Sequence, residues 1–228
     1  MKNPLEDIIG DYPEFVQTIL GLDSGLSITS PEGYLNSQFF ANMLPLLFII
    51  FLVSFGVREI AGEERDGTLD LLLSHPITRT HLYLEKLTAM VLAGVGLLIL
   101  ALAVIVVGAQ LVGMDVGFAG VLGASLSVFV ASLLFGSIGL AVGAFTGKRI
   151  VGIASASGFA VASFILWGLA PLVSEIEFLG RVSPFFWALT GEPILNGLQL
   201  GNASLLLGAA VVVATVGWWG FSRRDVSV

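Results

Sequence analysis

Five stretches of about twenty apolar residues, none with a charge at its centre, constrain this chain more than any other feature. They occupy 39–57, 87–112, 121–146, 150–173 and 203–221. A helix rises 1.5 Å per residue, so roughly 20 residues cross the roughly 30 Å of a bilayer's hydrocarbon core. Backbone polar groups in that core need partners inside the protein, and a helix supplies them within one segment. The expected fold is all-α: a polytopic transmembrane helical bundle of about five spans, one domain over 1–228, multi-pass in the cell membrane.

Composition agrees. Hydrophobic residues make up 56% of the chain and charged ones 12%, against roughly 25% charged in a typical soluble domain. That excludes a soluble enzyme or binding domain, and nothing points to a nucleic-acid partner. Cysteine is absent, which removes disulfides and thiolate metal sites. His75 and His81 fall in separate segments with no third ligand, so no metal site is expected.

The loops carry the orientation. With 58–86 placed in the cytoplasm, alternation across five spans puts Arg58, Arg65, Arg79, Lys86, Lys148, Arg149, Arg223 and Arg224 inside, and only Lys2 and Arg181 outside. Eight of ten basic residues on one side is the bias of the positive-inside rule. The expected topology is therefore N-out and C-in, with an external acidic segment at 1–38. The two external basic residues face ten acidic ones, a net charge of −8. Trp218 and Trp219 before Arg223-Arg224 suit a helix end at headgroup level.

Within the spans, Pro45 predicts a kink. Gly139, Gly143 and Gly147 repeat every four residues, a stripe that permits close helix packing or serves as a hinge. The absence of central charges argues against a proton pump with buried carboxylates and against a voltage sensor. The external segment 174–202 can hold a re-entrant or interfacial helix. Ser183-Pro184 is a helix start and Gly191-Glu192-Pro193 a turn. Its aromatics Phe185, Phe186 and Trp187 are candidates for an external gate or an interfacial anchor.

The cytoplasmic segment 58–86, REIAGEERDGTLDLLLSHPITRTHLYLEK, is too patterned for a tether. Leu69, Leu72 and Leu73 share one face of a short helix that Thr68 can cap and Pro76 ends. Thr78 or Thr80 can cap a second helix running into the next span. Such an amphipathic helix suits docking to a cytoplasmic protein or lying on the membrane surface.

The stretch AGEERDGTLDLLLSHPITR, with the Pro45-containing span before it and Leu84-Glu85-Lys86 after it, resembles the membrane subunit of ATP-binding-cassette (ABC) transporters. It is most similar to the type-2, exporter-like permeases that include the permease of the nitrous-oxide-reductase maturation system. Ser30-Pro31-Glu32-Gly33-Tyr34 is similar to that subgroup's external segment. The resemblance implies that 58–86 contains a coupling helix that fits a groove on an ATPase subunit. Glu63, Glu64, Gly67, Thr68, Leu69, Leu72, Leu73 and Pro76 match the pattern, with leucines in the groove and carboxylates at its rim.

It further implies two permease subunits, as a homodimer, working with two ATPase subunits. No cofactor would be bound directly, and ATP and Mg would sit on the partner. The chain's own nearest phosphate-loop string, Gly143 to Arg149, is one residue short and ends in arginine. The expectation is thus a non-enzymatic permease subunit for an unidentified substrate. The alternatives are a membrane scaffold that recruits a cytoplasmic protein, or a channel. These permeases usually have six spans and a cytoplasmic N-terminus; with five counted here, the expectation is a further span upstream of Met1, the alternative being a genuine five-span variant.

Overall fold

The computed structural model describes residues 16, 30–68, 77–114, 116–172 and 177–224. Among these, α1 spans Pro31–Arg65, α2 Arg79–Leu111, α3 Phe118–Thr146 and α4 Arg149–Leu172. Three short helices follow: α5 (Glu177–Gly180), α6 (Pro184–Leu189) and α7 (Pro193–Asn196). The last, α8, covers Leu200–Arg223. Five of these helices are long and apolar enough to cross a bilayer, and the described residues form an all-α, multi-pass membrane protein.

Four of the five long helices outrun their apolar stretches, and α4 equals its own in length. Lengths of 24 to 35 residues correspond to roughly 36 to 52 Å at 1.5 Å per residue, more than the hydrocarbon core requires. Capping side chains explain where two of them begin. Ser30 precedes Pro31, and its Oγ accepts the Gly33 N–H at 3.0 Å. Thr78 Oγ1 accepts the His81 N–H at 3.2 Å. At the other end of α1, Arg58–Arg65 stays helical, so the segment expected as a loop from residue 58 is helical as far as 65.

Pro45 lies inside α1 without ending it. Asn36–Met43 winds as a wider π-helix, and the Leu44 N–H reaches back to the Phe39 carbonyl. Proline lacks an N–H and its ring crowds the carbonyl four residues back; a wider turn just before it relieves both.

The chain divides into two compact units, and every long helix gives residues to both. Unit 1 takes 30–47, 98–131 and 162–203 of the described region. Phe40, Leu44, Val121, Val128 and Ile194 belong to its core. Here α7 lies directly on α3. A Cβ on Gly123 would stand 2.6 Å from Gly197 Cα, and one on Gly120 would collide with the Ile194 carbonyl. Ser183 caps α6 by accepting the Phe185 N–H at 3.2 Å, and donates its own proton to the Ser163 carbonyl of α4 at 2.9 Å.

Unit 2 takes 48–97, 132–161 and 204–224. Phe48, Leu52, Val57, Met90, Leu140 and Phe221 are buried in it. Lipid tails are as apolar as these side chains, so close van der Waals packing holds the helices together. Glycines on α3 set that closeness. Gly136 faces Leu52, Gly139 faces Val53 and Val57, and Gly143 faces Val57 and Ala61. Val53, Val57 and Ala61 are themselves four residues apart, so two stripes with the same period interlock. Gly147 departs from the expected stripe. It lies beyond the last turn of α3 with φ +66°, its N–H on the Gly143 carbonyl at 2.8 Å, and its open side faces the Glu64 and Arg224 side chains.

Burial is uneven. Of the apolar window of α3, 83% is buried, against 22% to 50% for the other long helices. α3 is the most buried of the long helices, and α2 and α8 leave apolar faces open. Leu92, Ile99 and Val104 of α2 and Val211, Val212 and Val216 of α8 are exposed, as lipid-facing residues must be.

Candidate functional site

Six charged residues of unit 2, Glu59, Glu63, Glu64, Arg79, Lys86 and Arg224, gather into one cluster of ion pairs and helix caps. Glu59 and Glu63 are one turn apart on α1 and both face Lys86 of α2. Lys86 Nζ is 3.5 Å from Glu59 and is ion-paired and hydrogen-bonded to Glu63. These three side chains are between 13% and 26% exposed, so water screens the triad only partly. Glu64, the next residue, points to a different partner and is ion-paired with Arg224 just past α8.

Two arginines also close helix ends. Arg224 Nη1 donates to the Ala144 carbonyl near the end of α3 at 3.1 Å. Arg79, the first residue of α2, donates to the Arg224 carbonyl and, at 3.4 Å, to the Phe221 carbonyl at the end of α8. The last carbonyls of a helix lack intrahelical partners and carry the negative end of its dipole, so a guanidinium there satisfies both. Trp218 Nε1 donates to Thr80 Oγ1 at 3.1 Å, and the Tyr83 and Phe221 rings stand 6.2 Å apart. The ends of α1, α3 and α8 and the start of α2 are thereby fastened together.

The expected docking residues divide at this cluster. Glu63 and Glu64 form its α1 side with Glu59; both are ion-paired within the chain, and Glu63 Oε2 is buried with no hydrogen-bond partner among the described residues. Gly67 has φ +71° and its N–H bonds the Glu64 carbonyl at 3.2 Å, ending α1 in the left-handed geometry that glycine adopts freely. The Thr68 hydroxyl bonds the Glu63 carbonyl at 3.1 Å, so it closes the preceding helix. Leu69, Leu72, Leu73 and Pro76 lie outside the described residues.

Sequence reading missed the pairing itself. The four-residue spacing of Glu59 and Glu63 is a usable signal for a shared cationic partner, whereas nothing in the sequence singles out Arg224 as the partner of Glu64.

In unit 1 the candidate gate residues have separate surroundings. Phe185 is buried, 5.3 Å edge-on from Phe164 and stacked with Trp167 at 6.3 Å. Phe186 and Trp187 are half-buried and edge-to-face at 5.5 Å, with Trp187 Nε1 donating to the Arg181 carbonyl at 2.6 Å.

Among the described residues no group of three or more His, Cys, Asp or Glu could hold a metal ion. One cleft of about 300 Å³ in unit 2 is lined by α2, α3 and α8, mostly with apolar side chains such as Leu87, Leu133 and Val211. Tyr83 is also on its wall, with a buried hydroxyl that has no hydrogen-bond partner among the described residues.

A bundle of five helices long and apolar enough to cross a bilayer defines a polytopic membrane protein. The particular family follows from comparison: the family model described as ABC-2 family transporter protein matches residues 10–226, and the chain belongs to that family. No curated protein and no solved structure matches it.

Proposed function

We propose that this chain is the permease subunit of an ABC transporter, moving a substrate across the cell membrane with energy from ATP hydrolysed on a separate subunit. The family match across 10–226 carries this reading. In it, 66–78 and the helix ends beside it form the cytoplasmic docking element. Leu69, Leu72 and Leu73 enter a groove on the ATPase, and Pro76 ends the docking helix. Glu63 and Glu64 support it from α1, and Gly67 and Thr68 set where it leaves α1. Two permease chains pair as a homodimer with two ATPase subunits, which bind ATP and Mg.

The positions of the basic residues support the orientation. The eight assigned to the cytoplasm all belong to unit 2, while Arg181, assigned to the outside, belongs to unit 1. By the positive-inside rule the helix ends bearing those eight residues are cytoplasmic, with the N-terminus external and the C-terminus internal. Phe185, Phe186 and Trp187 then lie on the external side, where Phe185 anchors α6 and the other two line an external gate.

The test is co-purification. An ABC ATPase subunit co-expressed with the chain is recovered with it, and replacing both Leu72 and Leu73 with Asp abolishes recovery while membrane insertion persists. Undiminished recovery with the double variant would refute the docking assignment.

A further inference from the structure

We propose that the Glu64–Arg224 pair is a clamp that holds the helix ends flanking 66–78 in fixed register with the end of α8. This deepens the reading above, since it takes 66–78 to be where the ATPase acts.

Helix α1 ends at Glu63-Glu64-Arg65, on the near side of the segment, and α2 begins at Arg79, on its far side. Both of its roots are tied to the same place. On one side Glu64 is paired with Arg224; on the other Arg79 donates to the carbonyls of Phe221 and Arg224. The Glu59–Glu63–Lys86 triad binds the two roots directly to each other. Arg224 is therefore held at three points: by its guanidinium on Glu64 and on the Ala144 carbonyl, and by its own carbonyl on Arg79.

Space for this junction depends on one residue. The Glu64 and Arg224 side chains occupy the position a Cβ on Gly147 would take, at 2.6 to 2.8 Å. A push on 66–78 that moves α1 or α2 then moves α8 as well, because the charges that would have to separate are largely shielded from water and costly to leave unpaired. The clamp is a positioning device and needs no contact with substrate.

The chain has no cysteine, so Asp66→Cys and Ser222→Cys, both at exposed positions, give a clean pair for spin labels. Distances between them are measured by dipolar spectroscopy on the full chain in lipid nanodiscs. The expected result is one narrow distance peak. It is lost in Arg224→Gln and in Arg224→Glu, and regained when Arg224→Glu is combined with Glu64→Arg. A peak that stays narrow in Arg224→Gln overturns the clamp. So does a broadened Arg224→Glu that the charge swap leaves broad while gel filtration and circular dichroism show an intact bundle.

ATPase recovery separates this proposal from the one beneath it. Loss of recovery with Leu72→Asp and Leu73→Asp, alongside an unaltered label distance in Arg224→Gln, sinks the clamp and keeps the docking site. A label distance that follows the charges, with recovery indifferent to the leucine changes, keeps the clamp and sinks the docking site.

Discussion

Glu64 and Arg224 are ion-paired across 160 positions of sequence, joining the last turn of α1 to the residue just past α8. Their side chains are 22% and 18% exposed, between the surface and buried extremes. Removing one partner should therefore cost more than an exposed pair and less than a fully buried one, about 1 to 3 kcal/mol. Glu64→Gln and Arg224→Gln are each expected to lower bundle stability by that amount, measured by steric-trap unfolding in lipid. The double variant should cost clearly less than the sum, because the second change removes a group already left alone. Strict additivity would mean that the two side chains do not interact.

Packing along the α1–α3 seam gives a second expectation. A methyl on Gly56 would meet the Gly136 carbonyl and the Met90 sulfur, each at 2.8 Å, and a backbone carbonyl in a packed helix has little room to retreat. Gly56→Ala should cost about 1 to 3 kcal/mol by overpacking. Gly96→Ala on α2, with open space around the position, should be neutral or should stabilise by up to about 1 kcal/mol through helix propensity. Equal effects at the two positions would contradict the close approach.

The two stripes in that seam show what could be read from sequence. The four-residue repeat Gly139, Gly143 identified a close-packing face, since helix periodicity is local and needs no knowledge of the partner. That Val53, Val57 and Ala61 fill it depends on how α1 and α3 come together, which a linear pattern does not encode. The number of long helices was legible for the same local reason: runs of apolar residues report the membrane's thickness directly. Their ends were harder to place. Polar residues such as Arg58, Glu59, Glu63 and Glu64 mark where hydrocarbon stops, but they are good helix formers, so α1 continues to Arg65. Pairing between Glu64 and Arg224 was not legible at all, because charge alone does not choose among partners that chain topology brings within reach.

The aromatic group in unit 1 allows anchoring and gating to be told apart. Phe185 is enclosed by Phe164 and Trp167, whereas Phe186 and Trp187 are half-buried. Phe185→Ala should lower stability by about 3 to 5 kcal/mol, as for other large-to-small changes in a packed site. Phe186→Ala should cost much less. Trp187→Phe should lose only the bond to the Arg181 carbonyl, about 1 kcal/mol. A destabilisation by Phe186→Ala matching that of Phe185→Ala would make the half-exposed pair a structural anchor and remove it as gate material.

Orientation is the expectation on which the rest of the functional reading depends, and it can be measured without substrate or partner. A reporter active only in the cytoplasm, fused after Val228, should be active. The same reporter inserted after Gly113, in the exposed turn between α2 and α3, should be silent. Basic residues within about 15 to 20 positions of a span end set orientation, and the turn between α2 and α3 has none. Adding three arginines at 113–117 should therefore weaken the bias and send part of the population into the inverted topology, seen as activity of the Gly113 reporter. If the unmodified chain already shows activity at Gly113 and none at Val228, the helix ends bearing the eight basic residues are external. The segment 66–78 would then be out of reach of any ATPase, and docking and clamp would both lose their cytoplasmic role.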